Sequence, residues 1–173
     1  FAKGISFVTN IRHNNPCLLY FLPIAGIISV GINKLLKTID MGTNQVIEST
    51  NIKTNLSPKL ASAVFGASVL SHLCGASVGR EGAALQLGGG SALFFSKNFK
   101  LSDKNEKILI YCGMAGMFSS VFGTPLAATA FALEIVCVGH ICLPAIIPTA
   151  FTSLVSYYTA VLLGAHQERF TLS

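Results

Sequence analysis

Glu81 is the residue best placed to do chemistry in this sequence, because it stands alone between two long runs without charge. Residues 61–79 before it and 82–96 after it contain no Asp, Glu, Lys or Arg. A carboxylate in such surroundings is costly unless it is paired, hydrogen-bonded or protonated. Its flanks read Gly79-Arg80-Glu81-Gly82, a glycine-lined break that puts the acid at the start of a helix beginning near Ala83. There a carboxylate can accept backbone N–H bonds in the place an anion would take, and it loses that attraction when protonated. Such a group would link proton binding to anion access. The alternative is a plain N-terminal capping acid balanced by Arg80. Arg80 itself could pair with a loop acid or reach the membrane interface.

Other chemistry-bearing patterns are weaker. Glu134 is a second acid within an apolar stretch, and it reads either as an interfacial residue at a helix end or as a proton-delivery group. Gly75-Ala76-Ser77-Val78-Gly79 matches the GxSxG nucleophile pattern. That elbow needs a preceding strand and a later acid and His, whereas here a small-residue helix precedes it and neither His140 nor His166 has an orienting acid nearby. An intramembrane serine hydrolase is thus a remote alternative, and no enzyme is expected. His13, His72, His140 and His166 form no HExxH or HxxxH pair. The five Cys (17, 74, 112, 137, 142) form no CxxC pair and sit mostly in apolar runs. No metal site, disulfide framework or cofactor is expected.

The elements that must position Glu81 are apolar helices. Hydrophobic residues make up 51% of the chain and charged ones 11%, with mean hydropathy +0.62, whereas a soluble domain carries about a quarter charged residues. Residues 13–33, 108–133 and 135–167 also lack Asp, Glu, Lys and Arg. These runs predict five or six membrane segments over 17–36, 59–77, 83–95, 108–121, 126–138 and 142–163. The multi-pass chain is expected in the cell membrane. Residues 1–12 read as the tail of something earlier. Phe1 opens the chain mid-pattern, with neither an initiating Met nor a secretory signal, so a truncated chain is expected.

Gly and Pro break several spans, and half-helix ends in transporters often point at a mid-membrane ion site. Three helix N-termini qualify: after Met41-Gly42-Thr43-Asn44, after Gly79-Arg80-Glu81-Gly82, and after Gly123-Thr124-Pro125. Thr124 can cap and Pro125 can occupy the first helical position. Convergence of these ends would make an anion pocket. Net charge is +5, yet the basic residues fall between spans without aromatic interleaving, so nucleic acid is not the expected partner. The segment 97–107, with four Lys against Asp103 and Glu106, marks a cytoplasmic loop.

Gly79-Arg80-Glu81-Gly82, with Gln86 and glycines 88–90, resembles the GREGP signature of the CLC family of chloride channels and anion/proton exchangers. Residues 116–134, GMFSSVFGTPLAATAFALE, resemble that family's next block, at the expected separation across a basic loop. The resemblance covers most of the chain from about Cys17 onward. It implies an all-α membrane protein with broken, tilted helices. Residues 1–173 would form the first inverted repeat of the transport domain, incomplete at the N-terminus, in a protein that is a homodimer when full-length. It implies that Glu81 is the gating glutamate that competes with the anion and carries the proton. By the same resemblance Met41, Gly42, Thr43 and Asn44, together with Gly79, Arg80, Gly82 and Ala83, would bind the anion. Several positions depart from chloride-transporting members: Met41 stands for the serine of the GSGIP turn, Ala83 for the proline of GREGP, and Ile135 where the internal proton glutamate would lie. These departures look like the fluoride/proton exchanger branch. A chloride channel or chloride/proton exchanger is the alternative, and a membrane assembly module that has lost transport is a reading from another class.

Overall fold

Local signals stop and start the helices, and close packing of small residues assembles them. The computed structural model describes residues 1–38, 43–44, 46–47, 59–76, 78–136 and 142–165. Every labelled element among them is helical: α1 Ala2–Asn14, a 3-10 turn Pro16–Phe21, α2 Leu22–Leu35, α3 Leu60–Leu73, α4 Arg80–Asn98, α5 Asp103–Phe122, α6 Pro125–Val136 and α7 Leu143–Leu162. Thr43, Asn44, Val46 and Ile47 also have helical backbone. Ser102 is the extended N-cap of α5, and Asp103 and Glu106 put negative charge in its first turn, where the helix dipole favours it. Gly123, at φ 73°, ends α5 in the left-handed region that glycine adopts freely. Pro125 then opens α6, as the Gly-Thr-Pro break predicts.

The segment expected as a loop over 97–107 is mostly helix. α4 runs on to Asn98 and α5 begins at Asp103, because charged residues suit helix ends that project beyond the apolar layer. The buried Ser96 hydroxyl donates to Glu106 Oε2 at 2.5 Å and ties the two helices at this corner.

From α2 onward successive helices alternate in direction. Leu19, just before α2, lies against Gly75, just after α3, so α2 and α3 are antiparallel. Ala61 at the start of α3 lies against Gly90 in the second half of α4, and Gly88 of α4 meets Gly113 of α5. Phe118 of α5 stacks on Phe131 of α6 at 5.0 Å, so α6 folds back along α5. α7 runs in the direction of α5, with Cys112 facing Thr149 and Gly116 facing Thr152 and Ser156. One end of the bundle therefore holds the ends of α2 and α4 and the starts of α3, α5 and α7. The other holds Gly75, the start of α4, Gly123, the start of α6 and the end of α7.

The core is a cluster around α4 and α5 that includes Val46, Leu60, Leu85, Leu93, Ile110, Met114, Leu133 and Val136. Two stretches are long and apolar enough to cross a membrane, Pro16–Leu35 and Leu143–Leu162, while Leu60–Leu73 and Pro125–Val136 are apolar but short. The expectation of five or six membrane segments allows for shorter ones enclosed by other helices, and α4, whose middle is buried, is of that kind. Of the cysteines, Cys74 and Cys112 are buried, Cys142 is half-buried and Cys17 is exposed; Cys137 lies outside the described residues.

Candidate functional site

The site is built at the N-terminus of α4. Gly79 precedes the helix in an extended conformation (φ −60°, ψ 135°), and Arg80 and Glu81 form its first turn. The first N–H groups of any helix lack intrahelical acceptors, so this end carries partial positive charge. Arg80 and Gly82 are half-buried, Ala83 is buried and Glu81 is exposed. Among the described residues the Glu81 carboxylate makes no hydrogen bond or ion pair. It is not acting as a helix cap in this arrangement.

A second helical stretch comes to the same place, where Thr43 Oγ1 lies 2.9 Å from the point at which a Cβ on Gly82 would stand. Gln86 donates from Nε2 to the same hydroxyl at 3.4 Å, a long hydrogen bond. Two turns further along α4, a Cβ on Gly89 would collide with Val46. The stretch therefore lies along α4 with its Thr43 end at the helix start. A side chain at 82 would make the Thr43 hydroxyl shift. Asn44 is exposed, and Met41 and Gly42 lie outside the described residues.

Among the described residues no hydrogen bond joins the third expected helix end to this place. The Pro125 carbonyl at the start of α6 accepts from Ser153 Oγ of α7 at 2.7 Å and from Thr129 Oγ1 at 2.8 Å. Its ties run to α7. Glu134 is exposed in the last turns of α6, and because α6 folds back along α5, it lies toward the end of the bundle opposite Glu81. Nor does the GxSxG pattern form an elbow, since helix α3 precedes it where a strand is required; Ser77 itself lies outside the described residues.

The side chain that reaches Thr43 is Gln86, whose position in the sequence carries no charge signal. Its spacing is the available clue: 82 and 86 are four apart and share one helix face.

Residues 24–173 match the sequence profile of the family described as voltage gated chloride channel. The chain belongs to the CLC family. A curated CLC relative, the chloride/fluoride channel protein of Pseudomonas syringae pv. tomato, is 32% identical over 158 residues, covering 90% of this chain and 35% of its own length. The crystal structure of a CLC-type fluoride/proton antiporter superposes with a TM-score of 0.88 at 32% identity, covering all of this chain and 44% of its own. The chain thus spans less than half the length of each of these relatives. The fold is the all-helical CLC fold, and the family is one of membrane anion transport.

Proposed function

We propose that this chain is the first inverted repeat, incomplete at its N-terminus, of a fluoride/proton antiporter in which Glu81 is the gating and proton-carrying acid. The observation that carries the reading is an exposed carboxylate in the first turn of α4, without a hydrogen bond among the described residues and next to the glycine against which Thr43 packs. The start of α4 makes that place favourable for an anion. Ionised, Glu81 competes for it. Protonated, it gives up the attraction and leaves, and the proton moves with the exchange. In this reading residues 41–44, Gly79, Arg80, Gly82 and Ala83 frame the anion, and Glu134 is a structural or proton-handling acid. The full-length protein is a multi-pass homodimer of the cell membrane and a transporter, not an enzyme.

Support for fluoride comes from Met41 and Ile135, which replace the serine and glutamate of chloride-transporting relatives, and from the similarity to the antiporter structure. Chloride is the second reading, favoured by the family description and by the name of the chloride/fluoride relative. Reconstituting the full-length protein in liposomes and recording anion efflux with ion-selective electrodes separates the two. Fluoride efflux driven by an inward proton gradient is expected, and chloride efflux at an equal or greater rate would overturn the fluoride assignment. Glu81→Gln, which cannot ionise, is expected to abolish proton coupling or block transport; undiminished pH-driven exchange would remove Glu81 from the mechanism.

A further inference from the structure

Five helices close on a residue in the left-handed region, and the residue chosen depends on the end of the bundle. At the end carrying the start of α4, α3, α5 and α7 close on Gly75 (φ 86°), Gly123 (φ 73°) and Gly164 (φ 63°). At the opposite end, α2 and α4 close on Lys37 (φ 53°) and Lys100 (φ 50°), the two described non-glycine residues with positive φ. The lysine closures have the same hydrogen bonds as those at Gly75 and Gly164: Thr38 N to Asn33 O at 2.9 Å and Leu101 N to Ser96 O at 3.0 Å, against Ala76 N to Ser71 O and Ala165 N to Ala160 O, both at 2.9 Å. A Cβ is disfavoured in this conformation, and glycine is the usual occupant. The chain therefore holds a lysine, at a backbone cost, at two places where glycine would be easier.

What surrounds those places gives the charge a use. Lys34, Lys59, Lys104 and Lys107 are exposed at the same end, outnumbering the exposed Asp103 and the half-buried Glu106, which accepts from Ser96. Phe94 and Phe95, in the last turns of α4, are each 52% exposed, and Phe99, between the helix and Lys100, is 69% exposed. Exposed rings directly beside ammonium groups suit the boundary between acyl chains and phosphate headgroups.

We propose that the lysine end of the bundle is a docking surface for anionic phospholipid headgroups, with Lys37 and Lys100 among the contacting groups. The rings sit at acyl level, and the ammonium groups meet the phosphodiesters. The rival account is internal: lysines near helix C-termini also favour the helix dipole, which needs no lipid.

The test uses the purified full-length protein carrying Lys37→Gly and Lys100→Gly. Its thermal midpoint is compared with the parent in nanodiscs of phosphatidylcholine alone and of phosphatidylcholine mixed with phosphatidylglycerol. In neutral lipid the double variant is expected to match or exceed the parent, because glycine relieves the left-handed strain. Its stabilisation by phosphatidylglycerol is expected to shrink, with phosphatidylglycerol affinity in detergent falling about fivefold per lysine removed. A second variant, Lys104→Gln with Lys107→Gln, leaves these closures untouched and should lose lipid response alone. An undiminished phosphatidylglycerol response in both variants would overturn the proposal. So would an equal loss of stability in both nanodiscs, which is the helix-dipole outcome. Binding of free glycerol phosphate as tight as that of the lipid would make the site one for soluble phosphate and would also overturn it.

Discussion

α5 makes two very different interfaces, one with α4 and one with α7. Against α4 the contact is backbone on backbone: a methyl group at Gly88 would land on the Gly113 carbonyl, and one at Gly113 on the Gly88 carbonyl. Against α7 the contact is between small polar side chains. Ser119 Oγ donates to Ser153 O at 2.9 Å, Ser153 Oγ donates on to Pro125 O at 2.7 Å, and Cys112 Sγ lies 3.9 Å from Thr149 Oγ1. The first interface fixes a distance and the second fixes a register. Two backbones in contact cannot approach further, so α4 and the acid on its first turn are held against α5 with little freedom. Hydroxyl bonds select one alignment of α5, α6 and α7 at modest energy, about 0.6 kcal/mol each on average inside membranes.

The contrast can be broken most severely at its closest point. Gly88→Leu is expected to eliminate folded protein, read as loss of the monodisperse peak in size-exclusion chromatography, because the Gly113 carbonyl cannot move aside without moving α5. Gly88→Ala should still fold but lose about 3 kcal/mol, the upper part of the usual overpacking range, seen as a lowered thermal midpoint in detergent. The same substitution on the other face of α5 sharpens the comparison. At Gly116 a Cβ would meet the Thr152 methyl at 3.3 Å and Ser156 Oγ at 3.4 Å, both side-chain ends able to shift. Gly116→Ala should therefore change stability by less than about 1 kcal/mol, since alanine's helix propensity offsets the crowding. A loss at Gly116 as large as at Gly88 would erase the distinction between the interfaces.

Smaller effects test the polar register. Ser153→Ala removes one bond to the Pro125 carbonyl, which keeps its bond from Thr129, and should lower stability by about 0.6–1 kcal/mol. The smallest change is expected for Thr43→Val. Among the described residues its hydroxyl has one hydrogen bond, at 3.4 Å, so the thermal midpoint should move by less than about 0.5 kcal/mol equivalent. Any change in fluoride efflux by that variant would then report on the site and not on folding.

Several of these features are legible in the residues themselves. The Gly123-Thr124-Pro125 break falls where α5 ends and α6 begins, because a left-handed stop and a fixed proline φ act locally. Glu81 is visible as an isolated acid for the same reason, its rarity depending on neighbours in sequence. Helix limits are less legible where charge is involved: Lys97, Lys104 and Lys107 read as loop yet lie on α4 and α5. A charged side chain at a helix end extends into water while its backbone stays helical.

By itself the sequence determines the solvent, through long runs without charge, and the place where a carboxylate meets a helix start. Only the tertiary structure decides which segments meet at that place. Thr43 and Gly82 are 39 positions apart, and no periodicity says that they touch, while the start of α6 is carried off to Ser153. Nor does a run of three glycines say that Gly88, Gly89 and Gly90 face α5, Val46 and α3 in turn. Helical rotation of about 100° per residue sets the three directions, and only packed neighbours give each one a meaning.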